Sequence, residues 1–240
     1  MSVRNNTVRQ IDDFDTEQIF TIEQLKYSKK DAFSVANALS VLRKEGYVKR
    51  LARRLYYKPR ISSVTGNPIP LNTGKLVDYF ATVANGYLTG TDVYRQMGFT
   101  TQMDFVYTIA TPEKRKKLAS ENFQMKFVKA YCKPTENNVH LLCILDVILN
   151  LKNIPDCPVD DAIEKLLVKI SKLSEPEILE LVKCVQKYPP RARAVTGALL
   201  EHLQLHEVAN RLKKNINPFS KFDVQISESV LPTKHQFNIV

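Results

Sequence analysis

"LRKEGYVKRLARRLYYKP", residues 42–59, sets seven basic residues against one acid, Glu45, and so carries six of the chain's ten net positive charges. Tyr47, Val48, Leu51, Leu55, Tyr56 and Tyr57 are interleaved with those charges. Gly46 stands where a helix ends on a left-handed residue, and from Tyr47 the pattern changes to a period of two. Residues 47–51 and 55–58 therefore read as two strands around a short turn at 52–54, with apolar side chains packed inward and charge outward.

Upstream, Val8, Ile11 and Phe14 space like one face of a short helix. Ile19, Ile22 and Leu25 repeat that spacing, with Thr21 as a cap for a helix at 22–25. Asp31 is placed to cap a longer helix over 32–44, on which Ala32, Val35, Ala36, Leu39 and Leu42 form an apolar stripe. Helix, helix, turn, helix and β-hairpin is the order of a winged helix-turn-helix. The expected fold is α+β and predominantly helical. A winged helix-turn-helix at 1–60 leads through a linker at 61–72, rich in Gly, Asn and Pro, to a larger domain at 73–240. That domain divides into an α+β part at about 73–130 and a helical part at about 139–205. It ends in an irregular tail at 206–240. Within it 75–84 reads as a helix, and 86–90, 105–110 and 123–128 read as strands. The segments 139–151, 160–173, 175–186 and 191–204 read as helices, with Ser174 and Glu177 forming a capping box.

The chain has 240 residues, 44% hydrophobic and 25% charged, which is globular usage with enough length for a buried core. A net charge of +10 favours a polyanionic partner. Residues 1–16 lack the apolar stretch of a signal peptide, and 139–151 is too short for a bilayer and contains Asp146. Cys132, Cys143, Cys157 and Cys184 form no C-x-x-C pair. Reduced thiols and a cytoplasmic location are the expectation.

In a helix-turn-helix, the second helix of the pair enters the major groove. On the helix at 32–44, Ser34, Asn37, Val41 and Lys44 stand on the face opposite Leu39, with Lys29 and Lys30 in the preceding turn. Asn37 can pair bidentately with adenine, and the lysines suit phosphate. Arg50, Arg53 and Arg54 at the hairpin reach backbone or an adjacent minor groove. One acid cannot neutralise so many bases, so the self-repulsion calls for a duplex rather than for solvent alone. Neutralising about six phosphates would cost about a thousandfold in affinity between roughly 50 and 200 mM salt.

Three segments, "ANALSVLRKEGYVKRLARRLYYKP", "YLTGTDVYRQMGFTTQMDFVYTIAT" and "YPPRARAVTGALLEHL", resemble in order those of the AbiEi-type antitoxins of type IV toxin–antitoxin systems. The family carries an Arg-Gly pair at the tip of the wing, where this chain has Arg53-Arg54. The resemblance implies a transcriptional autorepressor that binds an inverted-repeat operator through its N-terminal domain. It also implies an antitoxin activity in the C-terminal domain, opposed to a nucleotidyltransferase-like toxin without a stable complex. The competing expectation is an antitoxin that binds its toxin directly through the C-terminal domain, with DNA binding secondary.

Elsewhere, Thr89, Thr100, Thr101 and Gln102 lie beside glycines, either as strand-end turns or as a polar recognition surface. Arg191 and Arg193 open a helix, against its dipole, and call for an acidic partner. His202 and His206, four apart on one helical face, have no companion ligand at zinc spacing, so no metal is expected. Gly74-Lys75 lacks the spacing and the hydroxyl of a phosphate loop. "KRKK" at 114–117 could extend a DNA footprint. No nucleophile–base arrangement stands out, so neither an enzyme nor a cofactor is expected.

Overall fold

The computed structural model describes residues 2–69, 71–113, 117–120 and 123–240. The chain is mixed α+β and forms two compact units, one of residues 1–80 with 118–123, the other of 81–117 with 124–240.

The first unit opens with α1 (Val3–Asp12), capped by the Ser2 side chain, followed by β1 (Ile19–Thr21). Two 3-10 turns, Ile22–Gln24 and Lys29–Asp31, lead into α2 (Ala32–Lys44). The hairpin of β2 (Lys49–Ala52) and β3 (Leu55–Tyr57) follows. Here the expected helix at 22–25 is a single 3-10 turn, and 19–21 is a strand. The cause is tertiary: β3 pairs with β2 along one edge and with β1 along the other, Phe20 opposite Tyr56. Ile, Phe and Thr suit a pleated surface, and pairing satisfies an edge that would otherwise stay open. Phe20 is fully buried among Ile11, Val35, Leu39, Leu42 and Val48, with the Phe14 ring tilted against it at 4.8 Å between centroids.

On α2 the buried positions are Val35, Ala38, Leu39 and Leu42; Ala32 and Ala36 of the expected stripe are exposed. Asp31 holds the N-cap position without a side-chain capping bond. Gly46 ends the helix at φ +78, a region where a Cβ is strained. Residues 61–72 are not bare linker. β4 (Arg60–Ile61) and β5 (Pro68–Ile69) pair antiparallel, and α3 (Thr73–Val83) follows, with the division between units at Phe80/Ala81.

In the second unit, β6 (Tyr87–Thr89) precedes α4 (Thr91–Gln96), a helix absent from the sequence reading. β7 (Val106–Thr111) pairs antiparallel with β6. β8 (Leu118–Ser120) belongs with the first unit, and β9 (Phe123–Lys129) runs parallel to β7. Five helices complete the unit: α5 (Val139–Leu149), α6 (Val159–Ile170), α7 (Glu175–Val185), α8 (Pro190–His202) and α9 (His206–Lys213). The Ser174 amide donates to Glu177 Oε2 at 2.8 Å, as a capping box requires.

α5 is the centre of this unit, with every residue from Leu141 to Ile148 buried. α8 is nearly as buried because its sequence is small. Gly197 admits the ring of Phe237, which a Cβ there would meet at 2.4 Å. The tail beyond 206 begins as a helix, α9, and after Lys213 is a largely irregular strap packed onto the unit. Leu231, Phe237 and Ile239 are buried, Ser227 bonds the Asp160 carboxylate, and Thr233 Oγ1 donates to Ala198 O at 2.7 Å. No helix among the described residues is long and apolar enough to cross a membrane.

Filling the Gly197 recess should therefore loosen the tail. Gly197→Val is expected to lower stability by about 1–3 kcal/mol in urea unfolding and to speed proteolysis beyond residue 213. Unchanged unfolding would contradict the assigned packing.

Candidate nucleic-acid interface

The seven cations of residues 42–59 divide into internally bonded and free groups. Lys58 Nζ donates to Asp12 O at 3.1 Å and Phe14 O at 3.0 Å, satisfying carbonyls at the end of α1. Arg54 pairs with Glu23 at 2.6 Å, both side chains more than half exposed. Arg50 donates its Nε–H to Ala52 O at 3.1 Å and makes no ion pair among the described residues. Arg43, Lys44, Lys49 and Arg53 have no hydrogen bond or ion pair from their side chains among the described residues. Glu45, the stretch's one acid, is taken by Arg4 at 2.9 Å.

The hairpin turn follows from this chemistry. Arg54 adopts φ +66, the left-handed conformation that glycine supplies more cheaply. An arginine here keeps the tight turn at a backbone cost of about 1 kcal/mol and adds a cation at the tip. Tyr47 donates its hydroxyl to Asp12, and burial together with that carboxylate pushes the phenol up to about 12, so it stays a neutral donor. This bond ties the entry of the hairpin to α1.

On α2 the face away from the core carries Ser34, Asn37, Val41 and Lys44, all exposed, with Lys29 and Lys30 exposed on the 3-10 turn before it. It also carries Phe33, 77% exposed, which the sequence reading passed over. The signal was available: at 100° per residue, Phe33 falls near Asn37 and Lys44 and opposite Val35 and Leu42. An exposed ring on this face can contact a thymine methyl.

The surface expected in the second unit does not assemble. Thr89 is 4% exposed and donates to Asp146 Oδ2 at 2.8 Å; Thr100 is 6% exposed and accepts the Gln102 amide through Oγ1. Gln102 is exposed and donates to Asp156 at 2.7 Å, and Thr101 is exposed. Arg191 and Arg193 find carbonyls rather than a carboxylate. Arg191 Nη2 donates to Leu149 O at 2.6 Å and Arg193 Nη1 to Asn215 O at 3.0 Å. Leu149 closes α5, so Arg191 meets the negative end of one dipole while opening another helix. His202 and His206 sit on different helices, because the chain turns at Gln204, φ +62. His206 bonds Glu201 instead, and no metal-holding cluster exists among the described residues. Of "KRKK", residues 114–116 lie outside the described residues.

What Thr89 joins is a buried polar cluster. Asp146 accepts from Tyr87 Oη at 2.8 Å, Thr89 Oγ1 at 2.8 Å and Tyr188 Oη at 3.1 Å. Burial pushes the Asp146 carboxyl above its ordinary range, while the three hydroxyls pull the other way. The phenols of Tyr87 and Tyr188 are raised, first by burial and then by Asp146, and remain donors.

No family model and no curated protein matches the chain. Among solved structures, the RV2827C protein from Mycobacterium tuberculosis aligns with 92% of this chain and 82% of its own. The TM-score is 0.53 and the identity 15%. At that identity the likeness is one of mixed α+β fold.

Since folded Asp146 holds its proton more tightly than the unfolded chain does, unfolding releases that proton. The resulting stability is fully present below the unfolded carboxylate value of about 3.9 and is lost as pH rises through the folded value. Urea midpoints measured over about pH 4 to 8 should show this loss in the parent and not in Asp146→Asn. Parallel pH profiles would remove the raised pKa from the account.

Proposed function

We propose that the chain is a DNA-binding transcriptional autorepressor and acts as the antitoxin of a type IV toxin–antitoxin system. In this reading residues 1–60 form a winged helix-turn-helix, with the 3-10 turns between 22 and 31 in place of a full second helix. α2 is the recognition helix, and the β2–β3 hairpin is the wing. One observation carries the reading: Lys29, Lys30, Lys44, Lys49 and Arg53 are exposed or half-exposed cations without a carboxylate partner among the described residues, beside Asn37 and Phe33. Phosphate supplies the missing counter-charge, and Asn37 with Phe33 supplies base contacts. The antitoxin role and the inverted-repeat operator rest on the family resemblance.

The second reading, direct capture of a toxin protein, is favoured by one loop. Met103 and Phe105, 78% and 88% exposed, stand next to Thr101 and Gln102. Apolar anchors beside polar groups suit a protein interface.

A mobility-shift assay on the DNA just upstream of the chain's own gene separates the two. Arg53→Ala/Arg54→Ala should weaken binding to all sequences and flatten the salt slope by about one to two units, while Asn37→Ala should relax preference at one base position. Glu23→Gln, which frees Arg54, should strengthen binding and steepen the slope. Unchanged affinity and slope in the double-arginine variant would remove the wing from the interface. Stable co-purification with a toxin, lost in Met103→Ser/Phe105→Ser, would favour the second reading.

A further inference from the structure

The second unit holds a groove of about 520 Å³ bounded by β6, α4, α5 and the end of α6. Its floor is apolar, formed by Leu88, Val93, Met97 and Ile144. Lys169 and Lys172 stand at one side, and none of the residues lining it is acidic. Lys169 Nζ lies 5.7 Å from the centre of the Phe99 ring, and neither lysine has a carboxylate partner among the described residues. His140, also at the rim, is engaged by Glu177 at 2.9 Å, and Glu177 in turn accepts from Ser174, so that acid is committed away from the lysines. The volume falls within the range of small-molecule sites, and few polar groups over an apolar lining is their usual chemistry.

We propose that this groove binds a small amphipathic carboxylate, its hydrocarbon part on the Leu88–Val93–Met97–Ile144 floor and its carboxylate between Lys169 and Lys172. The charge asymmetry selects the occupant. A neutral hydrocarbon leaves the two ammonium groups as they are in the free protein, whereas a carboxylate gives them a counter-ion at the edge of a low-dielectric surface. A short carboxylate gains the ion pair alone and leaves the floor wet. Both halves are needed, and the site lies in a unit to which the DNA-binding reading assigns no small-molecule ligand.

Isothermal titration of the full chain with octanoate, 1-octanol and acetate tests this. Octanoate should bind saturably at one site per chain, and both octanol and acetate should bind about tenfold more weakly or not at all. Lys169→Glu/Lys172→Glu should weaken octanoate by about tenfold or more with the circular dichroism spectrum unchanged. Should the double variant misfold, Lys172→Glu alone, at an exposed position, should still weaken it severalfold. Absence of saturable heat up to about 10 mM octanoate overturns the proposal, as does equal binding of octanol, equal binding of acetate, or indifference to both lysine variants. None of these results depends on whether the chain binds DNA.

Discussion

Burying Asp146 in the most apolar helix of the chain constrains the whole second unit. A carboxyl removed from water needs its lone pairs met, and among the described residues no cation pairs with it. The hydroxyls of Tyr87, Thr89 and Tyr188 do so instead, at 2.8, 2.8 and 3.1 Å. Two come from β6 and the third from the turn between α7 and α8, so one side chain fixes two parts of the unit relative to α5. Asn150 extends the cluster, donating to Asp146 O at 2.8 Å and to Tyr94 Oη at 3.0 Å. A fully satisfied network of this kind specifies one packing among the many that an apolar helix would accept.

In the first unit the organising constraint is like charge. A small domain with a short hairpin can absorb a few cations by directing them at helix ends and neighbouring acids, as Lys58 and Arg54 are directed. The remainder have no such outlet among the described residues. That division bears on function more directly than the bare count of charges. It concentrates any duplex contact on the turn before α2, the outward face of α2 and the Arg53 side of the hairpin tip. Self-repulsion among exposed cations is a standing cost, which in the proposed reading a polyanion relieves.

The elements most legible in the sequence were those whose periodicity reflects burial on a single side. α2 spans the expected residues, α5, α7 and α8 lie within two residues of their expected bounds, and α6 ends three residues early, at Ile170. The Ser174–Glu177 box and the helix stop at Gly46 are local chemistry and read as such. The segments that misled were short or deferred to partners. Residues 19–21 became a strand because β3 offered an unpaired edge. The threonines at 89 and 100 turned inward because a buried acid and a turn required their hydroxyls. Phe33 lies on the outward side of the helical wheel, although an aromatic residue is normally counted toward the core.

By itself, the sequence determined the mixed α+β character, the run of helices in the second half and the concentration of positive charge before residue 60, because pattern and charge are properties of the chain. Only the tertiary structure decided which cations are neutralised, where Arg191 and Arg193 find their acceptors, and that the last thirty residues form a packed strap. Those outcomes depend on groups far apart in sequence meeting: a carbonyl at the end of α5, a ring seated on Gly197, an acid on one turn facing an arginine on another. Hydrophobic period reports how much of an element is buried and says nothing of what buries it.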